Sequence, residues 1–110
     1  MVKRATELFN NQEFFRCHEV LEEVWTREQG PRRLFLQAVI HLAVGLYHFQ
    51  RRNRQGASGQ LCKGLTKLQP YLPAFDGIDT NRLCIAARIA LNQIEAGASE
   101  IDFPRIDAEV

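Results

Sequence analysis

Apolar residues return at three- and four-residue intervals through most of the chain, and period-two alternation is confined to the C-terminal tail, so the pattern predicts helices. A first helix is expected over 2–9 and a second over 12–28, with Asn10 and Asn11 supplying turn and cap chemistry between them. Gly30-Pro31 reads as a stop followed by a start. Gly accepts the left-handed position after a helix, and the fixed φ of Pro suits a first turn. The third helix then runs to about Arg52. Asn53, Gly56, Ser58 and Gly59 mark a turn before a fourth helix over 57–69, which Pro70 and Pro73 close. Asp79 or Thr80 caps a fifth helix reaching Glu95, with Gly97 beyond its end. The tail over 101–106 is expected to lie extended over a groove. The expected fold is all-α: a compact five-helix bundle of antiparallel helical hairpins with an extended C-terminal tail, as one domain over 1–110.

The third helix is apolar around nearly its whole circumference, which makes it the central element. Gly45 there and Gly64 in the fourth helix leave room for a close neighbour. On the second helix, His18 falls inside an arc shared with Phe14, Phe15, Leu21 and Trp25, and Glu22 lies about 40° from it. On the third, Gln37, His41 and His48 fall within about 40° of one another. Buried polar groups cost several kcal/mol unless they find partners. The two polar seams are therefore expected to meet, with His18 and Glu22 facing Gln37, His41 and His48.

Imidazole and carboxylate are ligands that Zn, Fe, Mn or Ni accept, and an i, i+4 pair presents two of them from one helix face. The candidate metal set is His18, Glu22, His48 and His41, and the candidate pocket adds Phe14, Phe15, Trp25, Gln37 and Tyr47. Metal-assisted hydrolysis is the chemistry such ligands most often serve. The same side chains also satisfy one another by hydrogen bonds that fix helix register, without an ion, and metal-free acid–base chemistry is a third reading. If the cluster is structural, the protein is a non-catalytic interaction module whose outer groove takes a partner peptide or a second copy.

Composition narrows the classes further. At 110 residues, 45% hydrophobic and 25% charged, the chain matches an ordinary globular protein. Fourteen Lys and Arg against thirteen Asp and Glu leave a net charge of +1, too little to imply nucleic-acid or membrane binding from bulk electrostatics. Arg51, Arg52 and Arg54 complement the dipole at the end of the third helix, and the acidic tail is positioned to cover them. No aromatics interleave with these arginines, which places RNA association behind the other readings. The apolar run 34–49 is shorter than the roughly 20 residues a membrane span needs, and the N-terminus lacks a secretory pattern, so a cytoplasmic location is expected, with no membrane partner. Cys17, Cys62 and Cys84 are too few and too scattered for a disulfide framework and read as reduced, core-filling thiols. The expected partner is a small molecule, another protein or a further copy of the chain.

Phe9-Asn10, then Phe14-Phe15-Arg-Cys-His18-Glu-Val-Leu-Glu22-Glu-Val-Trp25, then Leu36-Gln37 through Tyr47-His48, resemble a prokaryotic family of small helical proteins, domain of unknown function number 309. The resemblance spans about residues 9–68. The family's mark is H-x-x-x-E-x-x-W/Y, carried here by His18, Glu22 and Trp25. The resemblance implies an all-helical fold and a motif suspected of binding metal, with no activity or substrate attached. It also touches Gln37 and His48, whereas His41 looks particular to this chain.

Overall fold

A computed structural model describes all 110 residues. Five α-helices follow one another: α1 (Lys3–Asn10), α2 (Phe14–Arg27), α3 (Arg32–Gln50), α4 (Arg54–Leu68) and α5 (Thr80–Glu95), with one 3-10 turn at Gln69–Tyr71. No strand forms, and the only β-type pairings are isolated bridges, Phe75 with Ile78 and Ile78 with Ala108. The fold is all-α, as the periodicity requires.

The principal contacts run between consecutive helices. Short connections join α1 through α4, and an eleven-residue segment over 69–79 leads from α4 to α5. Central α3 buries Phe35, Leu36, Ala38, Val39, Leu42, Ala43 and Leu46 completely, with α2 on one flank and α4 on the other. Two glycines set the spacing on the α4 side. A Cβ on Gly45 would lie 2.9 Å from Leu61 Cγ and 3.1 Å from the backbone oxygen of Ala57. A Cβ on Gly64 would lie 2.7 Å from Leu42 Cδ2 and 3.0 Å from the backbone oxygen of Ala38. Each glycine therefore admits both a leucine side chain and the backbone of the facing helix.

Three helices end in the same paired hydrogen-bond pattern, in which the two residues after the cap donate back across the last turn. Gln12 and Glu13 close α1 on Phe9 and Leu8; Arg52 and Asn53 close α3 on Phe49 and His48; Gly97 and Ala98 close α5 on Ile94 and Gln93. This motif needs a left-handed residue, and Gly97 supplies it at φ 89°. Gln12 (φ 61°) and Arg52 (φ 60°) adopt it with a side chain attached. Gly30, expected in that role after α2, is not left-handed; α2 ends with Glu28 extended.

α4 begins at Arg54, three residues earlier than its glycines suggest. The Asn53 side chain caps it by accepting from the Gly56 amide at 3.0 Å, and the closeness of that cap accounts for the glycine, since a Cβ at 56 would sit 2.6 Å from Asn53 Nδ2. Asp79 caps α5 as expected, through the Arg82 amide. Asn10 does not cap α2. Its amide grips the tail instead, donating to the backbone oxygen of Ile106 and accepting from its N–H. With Pro104 and Ile106 buried and Phe103 stacked on Phe14, the tail is an extended strap.

Arg54 serves a different helix from the one expected. Its guanidinium donates to the backbone oxygens of Ile94 and Ala98, satisfying the C-terminal end of α5. The tail carboxylates lie elsewhere: Asp102 accepts from Gln93, and Asp107 is 3.8 Å from Arg82. Of the three thiols, Cys17 and Cys84 are buried, but Cys62 is exposed on α4 and is not a packing residue.

Candidate functional site

The first turn of α2 carries two phenylalanines that point in different directions. Phe14 is buried, edge-on to Phe9, while Phe15 stays 47% exposed. One turn on, His18 lies over Phe15, with ring centroids 5.3 Å apart, and its Nδ1 donates to the backbone oxygen of Phe15 at 3.1 Å. That bond fixes the ring and leaves Nε2 facing outward, 3.3 Å from Glu22 Oε1.

From the antiparallel α3, Val44, Tyr47 and His48 complete the enclosure, and the Tyr47 ring lies 5.2 Å from Phe15. His48 is oriented by the cap of the next helix. Because the Asn53 oxygen accepts from Gly56, its NH2 donates to His48 Nδ1 at 3.3 Å, so the neutral ring carries its proton on Nε2. Together Phe14, Phe15, His18, Val44, Tyr47 and His48 line a pocket of about 210 Å³. Its walls are chiefly apolar, with one imidazole contributed by each helix.

Not all the residues expected at this site reach it. His18 and His48 do, across the α2–α3 interface. Glu22 stands at the rim with its side chain 55% exposed, so it is not part of a buried carboxylate–imidazole cluster. His41 turns the other way: Gln60 lies 2.8 Å from its Nδ1 and Lys67 Nζ 3.3 Å from its Nε2, both on α4. Although His41 and His48 share a face of α3, seven residues separate them by about 10 Å along the axis. Gln37 and Trp25 also lie outside the walls. Trp25 packs at the far end of α2 beneath the Arg33 guanidinium, 4.0 Å from its ring, with its indole N–H buried and unpartnered.

The discrepancy has a simple origin. The line of α2 that faces the core is Phe14, Cys17 and Leu21, all essentially inaccessible, so His18 sits at the edge of the apolar stripe rather than at its centre. α1 packs on the Cys17 side: the thiol donates to the backbone oxygen of Ala5 at 3.3 Å, and burial pushes it up to about 12. Neither Val44 nor Asn53 was expected at this site: Asn53 read only as a turn residue, and Val44, between His41 and His48 in sequence, only as part of the apolar surface of α3.

The donor set bears directly on a metal. Structural zinc centres use four protein ligands and catalytic ones three. Nowhere does the chain gather three His, Cys, Asp or Glu side chains able to share an ion. A centre built from His18, Glu22, His48 and His41 together does not fit this arrangement, since His41 is committed to α4.

Fold and pocket together define a small all-α protein with an aromatic–imidazole notch between its second and third helices. The sequence model of a family described as a domain of unknown function, DUF309, matches residues 2–59, and the chain belongs to that family. The match takes in every wall of the notch. The chain is similar to the uncharacterized protein YpuF of Bacillus subtilis (strain 168), with 36% identity over 93 residues, 81% of this chain and 53% of that protein. It is also similar to an uncharacterized protein of Aquifex aeolicus (strain VF5), with 26% identity over 106 residues, 94% of this chain and 30% of that protein. The chain thus spans about half the length of the first relative and less than a third of the second. No helix is long and apolar enough to cross a membrane.

Proposed function

We propose that this chain is a non-catalytic interaction module, and that the α2–α3 notch receives one large apolar side chain of a protein partner. The observation that carries the reading is the pairing of an exposed aromatic lip, Phe15 over Tyr47, with an apolar pocket of about 210 Å³. That volume is below the roughly 300–1,000 Å³ of pockets that enclose whole small molecules, and it suits a single anchoring residue. The two imidazoles supply polar groups at the edge for the partner's backbone, as interface rims do.

A second reading rests on the spacing of His18 Nε2 and Glu22 Oε1. Two ligands each about 2.0–2.2 Å from a tetrahedrally coordinated ion lie roughly 3.3–3.6 Å apart, and these atoms are 3.3 Å apart. The pair therefore has the bite of a two-ligand divalent site. One experiment addresses both readings: amide and imidazole NMR shifts during titration with N-acetyl-phenylalanine amide, and separately with zinc. Saturable shifts of His18, Val44 and His48 by the apolar probe, lost in Val44→Glu, are the expected result. Shifts with zinc alone, abolished by His18→Ala, would favour the ion; no response to the apolar probe at millimolar concentration overturns the interaction reading.

A further inference from the structure

Arg4, Arg16, Arg27, Arg32 and Arg82 each pair with a carboxylate of this chain. Arg51, Arg52 and Arg54 pair with none, and they gather where the end of α3 and the start of α4 meet the end of α5. Arg52, Arg54 and Ser99 open there onto a cleft of about 90 Å³, with Phe49 as its apolar wall. Arg54 is fixed by its bonds to the backbone oxygens of Ile94 and Ala98, which use two of the five guanidinium N–H groups and leave three. The Arg52 guanidinium and the Ser99 hydroxyl make no hydrogen bond to the rest of the chain. Arg52 reaches the cleft from a left-handed backbone, φ 60°, and strain of that kind gathers at ligand clamps.

We propose that this cleft binds a phosphate dianion, free or as the terminal group of a small monoester. Two guanidiniums oppose the charge of about −1.5 to −2 that such a group carries at neutral pH. One guanidinium fork satisfies a planar carboxylate, whereas donors converging from the α3–α4 turn and from the segment after α5 suit a tetrahedral anion, whose oxygens point several ways. The size agrees. Pockets that enclose whole small molecules measure roughly 300–1,000 Å³, so here only the phosphoryl group enters and the rest of an ester stays in solvent. Arg54, already anchored, is preorganised to receive the ion, and Arg52 is free to close on it. Arg51, exposed beside them, adds to the local positive field. Two effects oppose binding. The negative dipole ends of α3 and α5 lie at this corner, although Arg54 meets the carbonyls of α5. Glu100 follows Ser99 in the chain, but it forms no ion pair with any of the three arginines.

NMR shifts of backbone amides and arginine Nε–H groups, during titration with sodium phosphate at constant ionic strength in sodium chloride, test the proposal. Saturable shifts of Arg52, Arg54 and Ser99 at millimolar phosphate are expected. Glycerol 3-phosphate in place of phosphate distinguishes the sources: tighter binding of the ester assigns the monoester, and tighter binding of phosphate assigns the free ion. Arg52→Gly and Arg52→Gln should each raise the dissociation constant by about tenfold or more, the cost of a lost charge-assisted bond. Because Arg52→Gly relieves a left-handed backbone, it should melt above wild type without phosphate yet gain less than wild type when phosphate is added. An arginine with only a structural role would not separate stability from binding in this way. No saturable shift up to tens of millimolar phosphate, or Arg52 variants that bind as tightly as wild type, overturns the proposal. Dimethyl phosphate, a singly charged diester, binding as tightly as phosphate overturns it as well.

Discussion

The glycines of the α3–α4 hairpin yield a prediction whose sign changes from site to site. Replacing Gly by Ala inside a helix stabilises it by about 1 kcal/mol, because glycine loses more backbone freedom on folding. At Gly59 nothing lies within 4 Å of the added methyl, so Gly59→Ala should realise that gain. At Gly45 the methyl would come within 2.9 Å of Leu61 Cγ and 3.1 Å of two α4 backbone atoms; at Gly64 it would come within 2.7 Å of Leu42 Cδ2 and 3.0 Å of the α3 backbone. Backbone cannot yield as a side-chain tip does, so the helices must separate. Overpacking of this kind costs about 1–3 kcal/mol. Set against the gain in propensity of about 1 kcal/mol, this leaves Gly45→Ala and Gly64→Ala destabilising by up to about 2 kcal/mol. For a domain of this size 1 kcal/mol shifts the melting temperature by about 4 °C. Gly59→Ala should therefore melt about 4 °C above wild type and the other two below it, by up to about 8 °C, with urea denaturation giving the same order. If all three variants gain equally, the close approach of α3 and α4 is wrong.

Two further outcomes follow from the backbone and the thiols. Arg52→Gly removes a side chain from a left-handed residue and should stabilise the protein by about 0.5–1 kcal/mol in thermal melts; a loss of stability would show that the arginine side chain outweighs its backbone strain. In native protein, Ellman's reagent should modify Cys62 quickly and Cys17 only on unfolding. Because the Cys17 thiol is pushed up to about 12 from 9.0, the unfolded chain releases its proton first as pH rises. The stabilisation is whole below pH 9 and declines between pH 9 and 12, a decline that Cys17→Ala should reduce in urea titrations at alkaline pH.

Much of the fold was legible because helix signals are local. The Asp79 cap and Gly97 end of α5, the central place of α3 and the close approach at Gly64 all follow from residue type and spacing. Helix ends were harder to read where the left-handed residue is Gln12 or Arg52, since nothing in either side chain marks that conformation. Gly56 misled in the opposite direction: it looks like a turn residue, but it lies within the first turn of α4, where the Asn53 cap comes too close for a Cβ. At the site, His18, Phe14, Phe15 and His48 were placed on their helix faces by periodicity, whereas the rim position of Glu22 depended on which part of α2 meets α1.

Local periodicity determined that the chain is all-α, which residues share a helix face, and that imidazoles lie on α2 and α3. Tertiary packing decided where those faces point. The angle between two side chains on one helix is set by 3.6 residues per turn, but the rotation and axial shift of a helix against its neighbours depend on side-chain volumes from distant segments. Thus His48 meets His18 across the notch while His41, two turns along the same face, pairs with α4. By the same reasoning Arg54 closes α5, Asn10 holds a strap nearly a hundred residues away, and of three similar thiols only Cys62 reaches the surface.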